Sequence, residues 1–272
     1  MAPLNILSIG ASRNIGYFAA IRLLEQGATV TLLLRTPSVF DEDETIQKFV
    51  KSGTARLSKG DGRKEEDMRR AWEEAGTVDA VVFTVGAIPS FSITKGFVVD
   101  PNLVAQCMLC VLGTLPTYAS APPPRIIALS STGIGPAAHK ALPLLIKPLY
   151  SVLTIPHYDK AGMEQALAHV AGWPLDPNHG EPRVEILGEN WTERLPAPGT
   201  LKDRVLVVRA ALLTDGKCMG DEVKAKGTGK APYRVSHDEL GVYTISRKDT
   251  AHFVVDALAR WDEFKGIVNL GY

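Results

Sequence analysis

The sequence predicts an α/β fold, a doubly wound parallel sheet with helices on both faces. Three observations predict it. Short apolar runs alternate along the chain with amphipathic, helix-like segments. Several runs, such as Ala80-Val81-Val82-Phe83 and Ile126-Ile127-Ala128-Leu129, are continuously apolar, as strands buried on both faces are. The chain also starts with an apolar run, a glycine-bounded turn, a helical pattern and a second apolar run over residues 4–36, which reads as a β-α-β unit.

Taken in order, strands are expected at 4–9, 29–34, 55–59, 79–84, 125–130, 204–209 and 267–270. Helices are expected at 15–26, 42–51, 64–75, 101–115, 137–149, 158–171 and 247–261. The 137–149 segment is interrupted by Pro143 and Pro148. Asp41, Glu42 and Asp43 suit the start of the second helix, where negative charge meets the positive dipole end. Two stretches break the alternation. Residues 116–124 hold four prolines and read as a turn feeding the strand at Arg125. Residues 172–202 hold Pro174, Pro177, Pro182, Pro196 and Pro198, with Val184-Glu185-Ile186-Leu187 as a short strand inside them. That stretch is either a surface excursion or a rim beside a substrate pocket. No internal repeat is visible.

The first turn carries chemistry. Gly10 follows the strand directly, and a residue without Cβ lets a pyrophosphate approach the backbone. Ile15 and Gly16 open the helix, whose free N–H groups favour an anion, and Gly16 lets it pack close to the strand. The spacing is Gly10, five residues, Gly16, with Asn14 where a middle glycine often sits. Asn tolerates left-handed backbone angles better than most residues, so the turn survives. The bland alternative is an ordinary strand–turn–helix link. The second strand ends in Arg35, where an NAD-preferring unit usually has an acid. Arg13 and Arg35 together would clamp a 2′-phosphate, which favours NADP(H).

Ligands of such sheets lie beyond the carboxyl ends of the strands. There the chain places Asp61, suited to an adenine amino group, then Gly62, Gly86, and the hydroxyls of Ser130 and Ser131. The candidate cofactor contacts are therefore Gly10, Ser12, Arg13, Asn14, Ile15, Gly16, Arg35, Thr36, Asp61, Gly62, Gly86, Ser130 and Lys160.

Bulk properties bound the function. The chain has 272 residues, 45% hydrophobic and 22% charged, with 30 basic and 30 acidic residues. That is ordinary for one soluble domain. No basic surplus exists to attract nucleic acid or an anionic membrane. The start lacks the pattern of a signal peptide and no run reaches membrane-spanning length, so a cytoplasmic protein is expected. Cys107 and Cys110 form a C-x-x-C inside an apolar helical stretch with no second pair. They read as core thiols rather than a metal site.

In the family's order and over nearly the whole chain, a set of segments resembles the short-chain dehydrogenase/reductase superfamily, specifically its atypical, NmrA-like branch. They are Gly10-Ala11-Ser12-Arg13-Asn14-Ile15-Gly16, Gly60-Asp61-Gly62, Leu129-Ser130-Ser131-Thr132, Asp159-Lys160-Ala161-Gly162-Met163-Glu164, Val208-Arg209-Ala210-Ala211-Leu212 and Ile245-Ser246-Arg247-Lys248-Asp249-Thr250-Ala251. The resemblance implies a Rossmann-type core with a small C-terminal substrate lobe. Here that means one NAD(P)-binding domain over 1–272, with about 172–202 and 211–246 on the substrate side. It also implies a catalytic Ser, Tyr and Lys. Ser131 fits the serine and Lys160 fits the lysine, with Glu164 at the branch's spacing. The tyrosine departs: the in-register position is Pro156. His157 and Tyr158 replace it as candidates if Pro156 keeps that segment from being helical; otherwise they serve packing or face solvent.

Three functions follow. The first is an NADPH-dependent reductase of a small, mainly hydrophobic carbonyl or conjugated substrate. The second is a non-catalytic NADP(H)-sensing regulatory protein. The third is a redox-neutral isomerase or cyclase. Tyr243 and Trp191 are candidate pocket walls. No oligomeric state is readable from the sequence.

Overall fold

A computed structural model describes residues 3–86, 90–92, 96–98, 100–134, 154–227 and 229–272. The expected helix at 137–149 lies outside the described residues. The central sheet has eight strands. β1 (Asn5–Ile9), β2 (Thr29–Leu34) and β3 (Ala55–Lys59) fill one half. β4 (Ala80–Phe83), β7 (Arg125–Ser131), β8 (Val205–Ala210), β12 (Gly266–Gly271) and β10 (Arg234–Ser236) fill the other. The order is β10-β12-β8-β7-β4-β1-β2-β3, parallel except for β10 at its edge. Chain order reverses about β1, which pairs with β2 on one side and β4 on the other. A crevice therefore opens beyond the carboxyl ends of β1 and β4.

Strand residues alternate between two cores. Ile6, Leu32, Val82, Ile127 and Val208 face α1 (Asn14–Glu25), α2 (Glu44–Lys51) and α8 (Arg247–Ala259). Leu7, Leu33, Val81, Phe83 and Ile126 face α3 (Glu65–Ala75), α4 (Leu103–Gly113) and α5 (Thr154–Ala171). α4 is apolar but for Gln106, as a helix buried over most of its surface must be. The 172–202 excursion supplies its outer cover: α6 (Val184–Leu187) and the 3-10 turn Trp191–Arg194 pack on it.

Two expectations change here. Val184–Leu187 is a helical turn, not a strand. It lies beyond the α4–α5 layer with no strand to pair with among the described residues, and four apolar-rich residues bounded by Arg183 and Gly188 close one turn instead. Among the described residues α5 runs from Thr154, so Pro156 lies in its first described turn and does not break it. Proline is tolerated in a first turn, where N–H groups have no intrahelical partner. Shorter elements had no sequence signal: the hairpin β5 (Ser90–Ser92) and β6 (Gly96–Val98), the pair β9 (Leu212–Thr214) and β11 (Thr244–Ser246), and α7 (Met219–Lys226). α9 (Trp261–Phe264) continues the expected last helix after a break.

Candidate functional site

The crevice encloses about 530 Å³ and is walled on one side by the glycine loop. Gly10 has φ 92°, and a Cβ there would lie 2.6 Å from the Val85 nitrogen and 2.7 Å from the Thr84 carbonyl carbon. A Cβ on Gly16 would meet the Thr84 hydroxyl and lie 2.6 Å from the Gly10 oxygen. Both glycines are required by close packing of loop, helix and β4. Thr84, which spacing alone did not single out, clips the loop: its hydroxyl donates to the Gly10 and Ile9 oxygens at 3.2 and 3.3 Å. Asn14 takes φ 54°, the left-handed geometry expected of it.

The start of α1 is built for an anion. It has no side-chain cap and no acid in its first turn. By contrast Asp43 caps α2, accepting from the Ile46 N–H at 2.9 Å, and Ser246 caps α8, accepting from Asp249 N–H at 2.9 Å. Asn14, Ile15 and Gly16 line the crevice at this uncapped helix start, where N–H groups lack intrahelical partners, so an anion such as a dinucleotide's pyrophosphate suits it. Ser12, Arg13, Arg35 and Thr36 also line it and are exposed. Arg13 and Arg35 make no ion pair among the described residues, leaving both guanidinium groups free for an anionic ligand.

Further along lie Asp61, Gly62 and Gly86. Asp61 is half-engaged with Arg63, accepting from its N–H at 3.0 Å and sitting 3.5 Å from its guanidinium. The Asp61 N–H donates to Asp67 at 2.8 Å, which pins the loop after β3. Cys107 faces Gly62, and burial pushes its thiol up to about 12 and that of Cys110 up to about 11. Both are core thiols, and no metal-binding cluster exists among the described residues.

The other end brings Ser131, His157, Asp159 and Lys160 together with Leu103, Val104, Leu129 and Leu213. The Ser131 hydroxyl donates to the Thr132 carbonyl at 3.2 Å. Asp159 is buried, and its two oxygens accept the Val104 and Ala105 N–H groups at 2.9 and 2.8 Å, capping α4. Burial outweighs those bonds and raises its carboxyl to about 6. Burial likewise lowers the Lys160 ammonium to about 8, against the opposing charges of Glu164 and Asp159.

Two candidate residues do not line the crevice. Tyr158 is 37% exposed, its ring stacked under the Arg183 guanidinium at 3.6 Å. The early start of α5 causes this: two residues before Lys160, Tyr158 sits on another helix face. Ser130 points behind the crevice, where its hydroxyl donates to Glu164. Among the described residues no tyrosine lines the crevice. Trp191 packs on His169 at 5.6 Å over the far side of α5, and neither it nor Tyr243 reaches the crevice wall. Arg247, at the start of α8, does line it and is paired with Asp215 at 2.7 Å.

No protein-family model matches the chain. It is 30% identical over 160 residues to "Reductase pytE" of Aspergillus terreus, covering 58% of this chain and 50% of that protein. It is 30% identical over 165 residues to "Uncharacterized oxidoreductase Lin0452" of Listeria innocua serovar 6a, covering 54% and 65%. The chain thus spans about half to two thirds of the curated relatives it matches. Among solved structures it resembles the anaerobillin reductase ChuY of Escherichia coli O157:H7 (TM-score 0.55, 14% identity, 98% and 96% covered). It also resembles a putative NAD-dependent epimerase/dehydratase of Bacillus halodurans (TM-score 0.58, 15% identity, 98% and 93% covered). A third is a short chain dehydrogenase of Burkholderia cenocepacia J2315 in complex with NADP (TM-score 0.51, 16% identity, 94% and 90% covered). The sheet order and the crevice beyond its strand ends are those of a Rossmann-type fold, which the chain shares with these solved structures.

Proposed function

We propose that the chain is an NADPH-dependent reductase of a small, mainly hydrophobic carbonyl or conjugated substrate, of NmrA-like type. The observation that carries this reading is the content of one crevice: an uncapped helix start and two unpaired arginines at one end, Ser131 and Lys160 at the other. The identity to a protein named as a reductase supports it. When bound, the dinucleotide supplies the hydride.

The N–H groups at the start of α1 hold the pyrophosphate, and Arg13 and Arg35 hold the 2′-phosphate. Ser131 turns its hydroxyl from the Thr132 carbonyl to the substrate oxygen and stabilises the charge developing there. Lys160 brings a positive charge beside it. With Tyr158 turned outward, the proton comes from His157 or from the Lys160 ammonium, whose lowered pKa suits proton transfer near neutrality. Leu103, Val104, Leu129 and Leu213 favour an apolar substrate body.

A second reading is a non-catalytic NADP(H) sensor, favoured by the lack of a tyrosine at the crevice among the described residues. Loss of nicotinamide absorbance with a panel of aldehydes, ketones, enones and quinones separates the two. Turnover abolished by Ser131→Ala and Lys160→Ala is expected of the reductase. Tight NADPH binding with no oxidation across the panel is the sensor's result.

A further inference from the structure

Behind the crevice lies a buried polar cluster that the proposed chemistry does not use. Ser130 on β7 and Arg209 on β8 are register partners, one residue before the Ser131–Ala210 pair. Both reach Glu164, which is one helical turn past Lys160 on α5 and 3% exposed. The Ser130 hydroxyl donates to one Glu164 oxygen. Arg209 donates to the other through Nη2 at 2.6 Å and Nε at 3.2 Å. Arg209 is bound in turn by Asp176 of the 172–202 excursion at 3.1 Å and by Glu239 at 3.4 Å. His179 Nε2 closes the cluster, 3.2 Å from Arg209 and 3.3 Å from Glu164.

A glutamate needs no such clamp to stabilise a fold, since an apolar contact there would do as well. What the clamp adds is geometry. It ties α5 to the ends of the two strands beside the crevice, so the height and rotation of Lys160 follow from Glu164. It also sets a negative charge one turn from the ammonium. The charged groups acting on Lys160 are Glu164 and Asp159, both on α5.

We infer that Glu164, locked by Arg209, is a positioning residue that sets Lys160 against Ser131 and keeps the Lys160 ammonium charged. Its catalytic consequence rests on the proposed reductase reading, but its effect on Lys160 does not. The test is a lysine-labelled NMR titration of the full chain, with the Lys160 signal assigned by its loss in Lys160→Met. In Glu164→Gln the Lys160 midpoint falls below its parent value by roughly one pH unit. If substrate turnover exists, its kcat falls and its pH profile moves with that midpoint, while KM for NADPH changes little. An unmoved midpoint in a folded Glu164→Gln protein overturns the inference. Should that variant not fold, Glu164→Met with Arg209→Met removes the buried pair together, and the same fall or its absence decides. A parent protein that never oxidises NADPH refutes the reductase reading alone, because the titration needs no substrate.

Discussion

Asn14 occupies a left-handed position, φ 54°, at the first residue of α1. Asn bears that geometry at small cost and a β-branched residue does not. Asn14→Gly is expected to keep stability within about 0.5 kcal/mol, and Asn14→Val to lose about 1–2 kcal/mol, read by denaturant unfolding. Lys160 makes a prediction in pH. Its folded pKa, about 8, lies below its ordinary 10.5, so between those values the unfolded chain holds the extra proton. Stability therefore rises with pH over that interval and falls as pH drops through 8. Lys160→Met is expected to lose this rise, checked by unfolding midpoints from pH 7 to 10.5. These residues were legible because each serves local backbone or local chemistry: Gly10 and Gly16 by spacing, Asn14 by conformation, Arg35 by its place after a strand. Tyr158 was not, because its direction depends on where α5 begins.

At the scale of elements, α1 is the part most tightly constrained. Its first turn has neither cap nor acid, and Gly16 brings it against Gly10, Ala11 and Thr84. Backbone atoms at 2.6–2.7 Å leave no room for a methyl group. Gly16→Ala is expected to push α1 off β4, costing about 2 kcal/mol or more and weakening dinucleotide binding, measured by unfolding and by NADPH fluorescence titration. Long periodic helices and continuously apolar strands were readable, since their patterns answer to one sheet. The short elements were not. The Val184–Leu187 run fits a strand or a helical turn equally, and only its place outside α4 and α5 decides. Pro156 misled for a similar reason: a proline ends a helix interior but suits a first turn.

Over the whole molecule, the parallel sheet with its reversal at β1 puts loops distant in sequence at one crevice. That arrangement follows from right-handed β-α-β connections, so it was legible once the strands were. The buried cluster around Arg209 was not, because it joins β8, α5 and two irregular segments that no periodicity links. Among the described residues no helix is long and apolar enough to cross a membrane. His157 and Lys160 both line the crevice, and their roles separate at this scale. If His157 donates the proton, His157→Ala lowers kcat by roughly 10²-fold or more, and the turnover lost in Lys160→Met is accompanied by weakened NADPH binding. If Lys160 donates it, Lys160→Met carries the kcat loss, as steady-state kinetics would show. Beneath either outcome stands the claim that the crevice is an NADP(H) site read by Arg13 and Arg35. Calorimetric titration with NADPH and NADH, on the parent chain and on Arg35→Asp, tests it most directly. NADPH is expected to bind at least about tenfold tighter than NADH, roughly 1.4 kcal/mol, with that gap lost in Arg35→Asp. Equal affinity for the two in the parent chain, or an equal loss of both in the variant, would contradict it.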